Sequence, residues 1–560
     1  MQMKKLQIFS ILLFLNISVG FSQNHYGKNG MVASASTYAS QAGLEILKDG
    51  GNAVDASIAT AFTLAVTWPF AGNIGGGGFM VIHTEDGNVT TFDFREKAPL
   101  ASTKDMFLDE NGKLKSGSNH NTALAIGVPG TIAGLYDAHQ KYGEIEWEKL
   151  LERAIQLAEY GFPLPQSLAK DFFYFAENPD QFPEMQSFIT RDGKVVGFGE
   201  FWKQPALAET LKKIQDEGKK AFYEGETAQT LVDYIQSQDG IITTEDLAAY
   251  EAIERQPIHS TFKDYDLYGM PLPSSGGVAV TQMMNMWEQL DEVPEMGSVE
   301  YYHTLAEIMR KAFKDRAQYL GDNDFIEIPD LERLLSKNYA RDLLKEIDFE
   351  QVGKSDSTAI QIISEGQETT HLSVMDETGM AVSMTTTLEQ GYGVKMQSPE
   401  LGFLLNNEMG DFNAVPGETN NSGQIGTPAN TIEPGKRMLS SMSPFIVKKN
   451  NQPFLVIGSP GGRTIINTVF QTILATTVYE YPMNQAIEAP KIHHQWLPDR
   501  IVYEEYKMAP ETLEALEAMG HEIHMRSFLG RLMGIKYNAE TGFMEGAADS
   551  GSPDGEVASY

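Results

Sequence analysis

"GQETTHLSVMDETGMAVSMTTTLEQ", residues 366–390, places two runs of threonine on either side of a short polar turn. Threonine fits the pleated, half-buried surface of a strand. "TTHLSVMD" therefore pairs with "MAVSMTTTL" as a hairpin across Glu377-Thr378-Gly379. On residue types alone, two readings of these threonines stay open. One is strand filler. The other is a nucleophile, since a Thr hydroxyl attacks a carbonyl when a neighbouring group takes its proton.

Outward from this hairpin the pattern repeats. "PFIVKKNNQPFLVIGS" (444–459) reads as a second hairpin and leads into helical "TIINTVFQTILATTVYE" (464–480). Upstream, "FMVIHT" (79–84) and "VTTFDF" (89–94) form another around Asp86-Gly87. Residues 36–67 read as two helices stopped at Gly50-Gly51, the second apolar almost all round and so buried. Residues 128–235 are mainly helical, with the clearest amphipathic pattern at 147–161, and another helix is expected over 298–320. Segment 414–436, rich in Gly, Pro and Asn, has the length of a lid or binding loop, or of a disordered stretch. Helices, then antiparallel strands, then helix imply an α+β fold with sheets sandwiched between helical layers.

The chain has 560 residues and a net charge of −33. That balance excludes a general nucleic-acid binder, which needs a basic stripe to neutralise phosphates. It contains no cysteine, so disulfides, thiolate metal sites and a cysteine nucleophile are excluded. Lys4 and Lys5 precede an apolar run, Leu6 to Val19, followed by Gly20-Phe21-Ser22. This is the layout of a cleaved signal peptide over 1–22, with an uncleaved anchor as the alternative. An exported, periplasmic or secreted protein with no membrane span after signal removal is expected.

Two glycine clusters invite a chemical reading. Gly75–Gly78 run from helix into strand, the reverse of a phosphate-binding loop, and fit close backbone packing. "GSPGGRTII" (458–466) has the opposite order, strand then helix. It leaves the N–H groups of Gly461 and Gly462 at a positive helix terminus, where an oxyanion can be stabilised. His493-His494 are adjacent in an extended segment and point apart, and no HExxH spacing occurs, so no metal is expected. No GxSxG elbow is present either. A nucleophilic Thr would then need another base, and the α-amine of an N-terminal Thr, with a pKa near ~8, suits that role.

In order along the chain stand "GGNAVDA" (50–56), "GNIGGGGFM" (72–80), "DFRE" (93–96), "PSSGG" (273–277), "TTH" (369–371), "LLNNEM" (404–409), "LSSMSP" (439–444), "GSPGG" (458–462) and "HHQWLPD" (493–499). Together they resemble the γ-glutamyltranspeptidases, of the N-terminal-nucleophile hydrolase superfamily. The resemblance implies a four-layer αββα sandwich made as a precursor that cuts itself between Glu368 and Thr369. A large subunit, 23–368, and a small one, 369–560, would form one packed unit. It further implies Thr369 as nucleophile, Thr387 as the neighbour bonding its hydroxyl, and the amides of Gly461 and Gly462 as oxyanion hole. Arg95, Ser440 and Ser441 would bind the α-carboxylate of a γ-glutamyl group, and Glu389, Glu408 and Asp411 its α-ammonium. Small γ-glutamyl donors and amino-acid or peptide acceptors would be the partners, with no cofactor.

The chain departs from that pattern in places. Glu389 and Glu408 stand where some members carry Asn and Gln, so the pocket is more anionic. Gly410 stands where an acid is common beside Asp411. The aromatic residue that closes some lids is replaced by Ser422. A related cephalosporin or glutaryl acylase, or a non-catalytic binding protein on the same fold, are the alternative functions.

Overall fold

The computed structural model describes residues 24–328, 330–355, 369–417 and 426–560. The stretch 1–22, Glu368 and Ser422 therefore lie outside the described residues. Among the described residues two seven-stranded antiparallel sheets dominate. The first runs Glu556–Ser559, Gly30–Ser34, Thr369–Asp376, Ala381–Thr387, Gly77–His83, Val89–Phe94, Ile253–Arg255. The second runs His25–Gly27, Phe543–Ala548, Met533–Asn538, Gln452–Gly458, Phe445–Lys449, Tyr265–Gly269, Ile258–Phe262.

The central hairpin forms as expected, in register from Thr369 opposite Thr387 to Met375 opposite Ala381. A strand's period of two then divides its side chains between the faces. Thr369, His371 and Ser373 share one face with Thr387, Thr385 and Ser383 opposite them. That face meets the second sheet. Ser373 Oγ donates to the carbonyls of Val456 (3.3 Å) and Met533 (3.1 Å), and Ser383 Oγ to that of Ile457 (3.0 Å). The other face carries Leu372 and Val374 against the helix Ala53–Thr67, whose first amide donates to Asp376 (2.9 Å). Both arms are buried throughout. The polar half faces a second protein layer instead of water, which is why its hydroxyls are bonded across the gap.

Outside the sheets, Thr37–Lys48 and Ala53–Thr67 cover the first, and Gly276–Glu288 and Thr464–Thr477 cover the second. The order helix, sheet, sheet, helix is the expected αββα sandwich. Asn52 caps the buried helix by accepting from the amides of Val54 and Asp55, and the Asp55 carboxylate in turn accepts from the Asn52 N–H (3.0 Å). The second hairpin turns at Asn450 and Asn451, with φ of 52° and 64°, the left-handed pair that a tight two-residue turn demands.

Some boundaries differ from expectation, and the helix expected over 464–480 ends at Thr477. The strand expected from Phe79 begins at Gly77, because the glycine run is packed against neighbouring carbonyls. A Cβ at Gly75 would stand 2.3 Å from the oxygen of Leu404, at Gly76 2.2 Å from that of Thr387, and at Gly78 2.3 Å from that of Thr385. Close packing is what this cluster does. Among the described residues no helix is long and apolar enough to cross a membrane.

Candidate active site

Thr369 opens its strand and Thr387 ends the neighbouring one, so the register sets the two hydroxyl residues side by side at one end of the sheet. Thr387 Oγ1 accepts the Glu389 N–H (2.9 Å). The loop before the first hairpin braces this corner. Asn73 donates to the Thr387 carbonyl (2.9 Å) and accepts from Gly76 N–H (2.9 Å). A cavity opens at this point. Thr369, Thr387 and Gly462 line it together with Arg95, Glu389, Glu408, Asp411, Ser440 and Ser441. Thr369 is 7 % exposed, so its surroundings are protein rather than bulk water.

Gly461 and Gly462 join the strand Gln452–Gly458 to the helix Thr464–Thr477 at φ of 136° and 60°. Only glycine adopts such a pair without strain. The turn presents their amides ahead of a helix N-terminus, where the peptide dipoles favour negative charge. Gly462 lines the cavity and Gly461 stands immediately before it.

The charged end of the cavity is built around Arg95, 1 % exposed. Its Nη1 donates to Glu408, its Nη2 to Asp411, and its Nε to the carbonyl of Met438 (3.3 Å). Burial works against the guanidinium charge, but Glu408, Asp411 and Glu96 outweigh it and hold its pKa above the ordinary value. The acids outnumber the cation. Burial pushes Glu96 up to about 7 and Glu408 well above the carboxylate range, against the pull of Arg95. Glu96, 3.7 Å from Arg95 Nη1, is a member of this group that the sequence reading did not single out.

Ser440 and Ser441 are held by the "PSSGG" loop. Ser440 N–H donates to the carbonyl of Pro273 (2.9 Å), while Ser275 N–H and Oγ both donate to the Ser440 carbonyl (2.8 and 2.6 Å). Arg316, buried on the helix Val299–Tyr319, donates to Ser441 Oγ (2.8 Å) and Ser275 Oγ (2.9 Å). Sequence reasoning missed Arg316, and it missed His120, whose Nδ1 lies 3.3 Å from Glu389 Oε2. Arg316 sits on a long helix among many charges, and His120 in a loop without periodicity. Neither carried a signal.

The remaining histidines stay away from the cavity. His371, two residues past Thr369, is locked to Thr385 and Ser373 (2.8 and 3.0 Å), and burial pushes its pKa down to about 3. His493 faces Asn467 and Gln495 while His494 faces Asp499, so the adjacent pair does point apart. His303, Glu307 and His521 bring ligand-type atoms within 4.8 Å of one another. That trio is already satisfied internally: His303 Nδ1 and His521 Nε2 share a 2.8 Å hydrogen bond, and Arg310 holds both oxygens of Glu307.

The family pattern described as gamma-glutamyltranspeptidase matches residues 39–559. A glutathione hydrolase proenzyme of Escherichia coli (strain K12) is 41 % identical over 537 residues, covering 95 % of this chain and 92 % of the relative. That of Bacillus subtilis (strain 168) is 38 % identical, covering 95 % and 91 %. Among solved structures, a cephalosporin acylase from Bacillus halodurans superposes with a TM-score of 0.86 at 26 % identity, covering 99 % of each chain. The Helicobacter pylori gamma-glutamyltranspeptidase gives 0.54 at 38 % identity, covering 60 % of this chain and 93 % of the other. The acylase shares the architecture, whereas the glutathione hydrolases share far more of the sequence, so the acylase alternative is not favoured. The non-catalytic alternative also falls, because these relatives are enzymes over nearly their full length. The chain belongs to the gamma-glutamyltranspeptidase family of enzymes.

Proposed function

We propose that this protein is an exported, self-processing γ-glutamyltransferase and hydrolase acting on glutathione-like donors. The observation that carries the reading is the convergence of Thr369, Thr387, Gly462 and a paired cationic and anionic group on one cavity. In the precursor, Thr369 Oγ attacks the carbonyl carbon of Glu368. The peptide C–N bond breaks as the acyl group moves to oxygen, and water hydrolyses the ester. The products are the Glu368 carboxylate and a free Thr369 amine, and hence subunits 23–368 and 369–560.

In turnover the amine takes the Oγ proton while Oγ attacks the γ-carbonyl of the donor, and Thr387 donates to the attacking oxygen. The developing oxyanion accepts from the amides of Gly461 and Gly462. Collapse expels the leaving amine, which takes the proton back from the Thr369 ammonium. Water or an acceptor amine then attacks the γ-glutamyl ester and regenerates the hydroxyl.

Recognition follows from the charges. Arg95 is paired with Glu408 and Asp411, and a zwitterionic glutamyl head replaces that one internal pairing with two. Its carboxylate takes Arg95, Ser440 and Ser441, and its ammonium takes Glu389, Glu408 and Asp411. A glutaryl group lacks the ammonium and would leave the acids uncompensated. The test is turnover of γ-glutamyl and glutaryl p-nitroanilides by the purified protein. Preference for the γ-glutamyl compound is expected, and equal or reversed preference would contradict the assignment.

A further inference from the structure

Glu389 is held in an unusual way. Its φ of 78° is left-handed, a conformation a side-chain-bearing residue keeps only when its surroundings impose it. Its N–H is fixed on Thr387 Oγ1 and its carboxylate on His120 Nδ1. His120 does not line the cavity. It lies behind Glu389, 7 % exposed, its carbonyl accepting from the Asn407 side chain (3.0 Å). Its ring occupies the space beside residue 410. A Cβ on Gly410 would stand 2.2 Å from His120 Cε1 and 2.3 Å from Nδ1. An acid at position 410, expected from the family pattern, has no room while His120 keeps its place. Glu389, Gly410 and His120 thus form one fitted unit.

We propose that His120 is a positioning residue for the donor's α-ammonium, orienting the Glu389 carboxylate toward the cavity, and that Gly410 is the space that admits it. This rests on the γ-glutamyl reading above. The groups acting on His120 are Glu389 and Asp411, which favour its charged form, and Lys395, which opposes it. Burial disfavours the imidazolium, but the Glu389 hydrogen bond and the two acids leave its pKa raised. When charged, His120 competes with the donor ammonium for Glu389. When neutral, with the proton on Nδ1, it still donates to the carboxylate but no longer neutralises it. Donor affinity therefore improves as pH rises through the titration of His120.

The experiment compares wild type, His120→Ala, His120→Asn, Gly410→Ala and the double variant His120→Ala/Gly410→Ala. Each is checked for processing and melting temperature, then assayed with γ-glutamyl p-nitroanilide from pH 6 to 9. His120→Ala should raise KM about tenfold while changing kcat less than about twofold, the split expected for lost ground-state binding. His120→Asn, whose amide can still donate to Glu389, should recover most of the affinity and lose the pH dependence of KM. Gly410→Ala should mimic His120→Ala and add little on top of it, because both act on one contact. An unchanged KM and pH profile in His120→Ala, or effects of the two substitutions that simply multiply, would overturn the proposal. If His120→Ala fails to fold, a wild-type pH profile in His120→Asn is sufficient to overturn it. Failure of the γ-glutamyl reading is distinct: wild type itself would not turn over this donor.

Discussion

Thr369, the proposed nucleophile, illustrates how little a residue type says about reactivity. It shares a face with His371 and Ser373, and all three are buried polar residues of one strand. Only Thr369 reaches the end of the sheet, where a cavity, a second threonine and a glycine turn meet. No composition or periodicity marks that position, and the resemblance of nine ordered motifs is what raised it above strand filler. Thr369→Ala should remain a single full-length chain with no γ-glutamyl turnover, read by denaturing electrophoresis and the p-nitroanilide assay. Processing and turnover in that variant would assign the nucleophile elsewhere. Arg95 is the buried cation around which the proposed site is built. Arg95→Gln leaves Glu96, Glu408 and Asp411 without their cation, which should cost about 3–5 kcal/mol. Denaturant unfolding from pH 9 to 6 measures this: the loss should be largest on the alkaline side, where Glu96 and Glu408 are ionised, and shrink as pH falls through about 7 and those carboxyls gain protons.

At the scale of elements, the hairpins and buried helices were legible because their cues are local: turn residues at Gly379, Gly87 and Asn450-Asn451, and apolar periodicity over 53–66. The glycine run was legible as packing, but its partners were not, since Thr387 and Leu404 lie hundreds of residues away in sequence. Gly76→Ala tests that packing. Its Cβ would press on the Thr387 carbonyl at 2.2 Å, and a destabilisation of about 1–3 kcal/mol, with slower processing, is expected from overpacking. The His120 contact was illegible for the same reason, its partner being 269 residues distant. His371 supplies a pH test of the inter-sheet layer. Its pKa is pushed down from 6.5 to about 3 in the fold, so the unfolded chain binds the extra proton. The contribution of neutral His371 is present above pH ~6.5 and is lost as pH falls toward 3. The stability difference between wild type and His371→Gln should therefore fall by about 1.4 kcal/mol per pH unit between pH 6 and 4. A difference independent of pH would show that His371 is charged in the fold.

Across the whole molecule, the two expected subunits are interleaved rather than adjacent. In the first sheet the strand Gly30–Ser34 lies between Glu556–Ser559 and Thr369–Asp376, and in the second Phe445–Lys449 pairs with Tyr265–Gly269. Neither part can leave without breaking both sheets. The cut fragments should thus elute together in size exclusion and separate only in denaturant. The resemblance implied one packed unit formed by both parts, but which strands pair across them was not legible, because partners hundreds of residues apart leave no local cue. The layer order was, because helices and paired strands must bury their apolar faces against one another. The central claim is that the bond between Glu368 and Thr369 is cut and that the new amine is the catalytic base. Denaturing electrophoresis of active protein, with N-terminal sequencing of each band, tests it most directly. The account predicts two bands, the smaller beginning Thr-Thr-His. A single full-length band from protein that turns over γ-glutamyl substrates, or a small fragment beginning at any other residue, would contradict it.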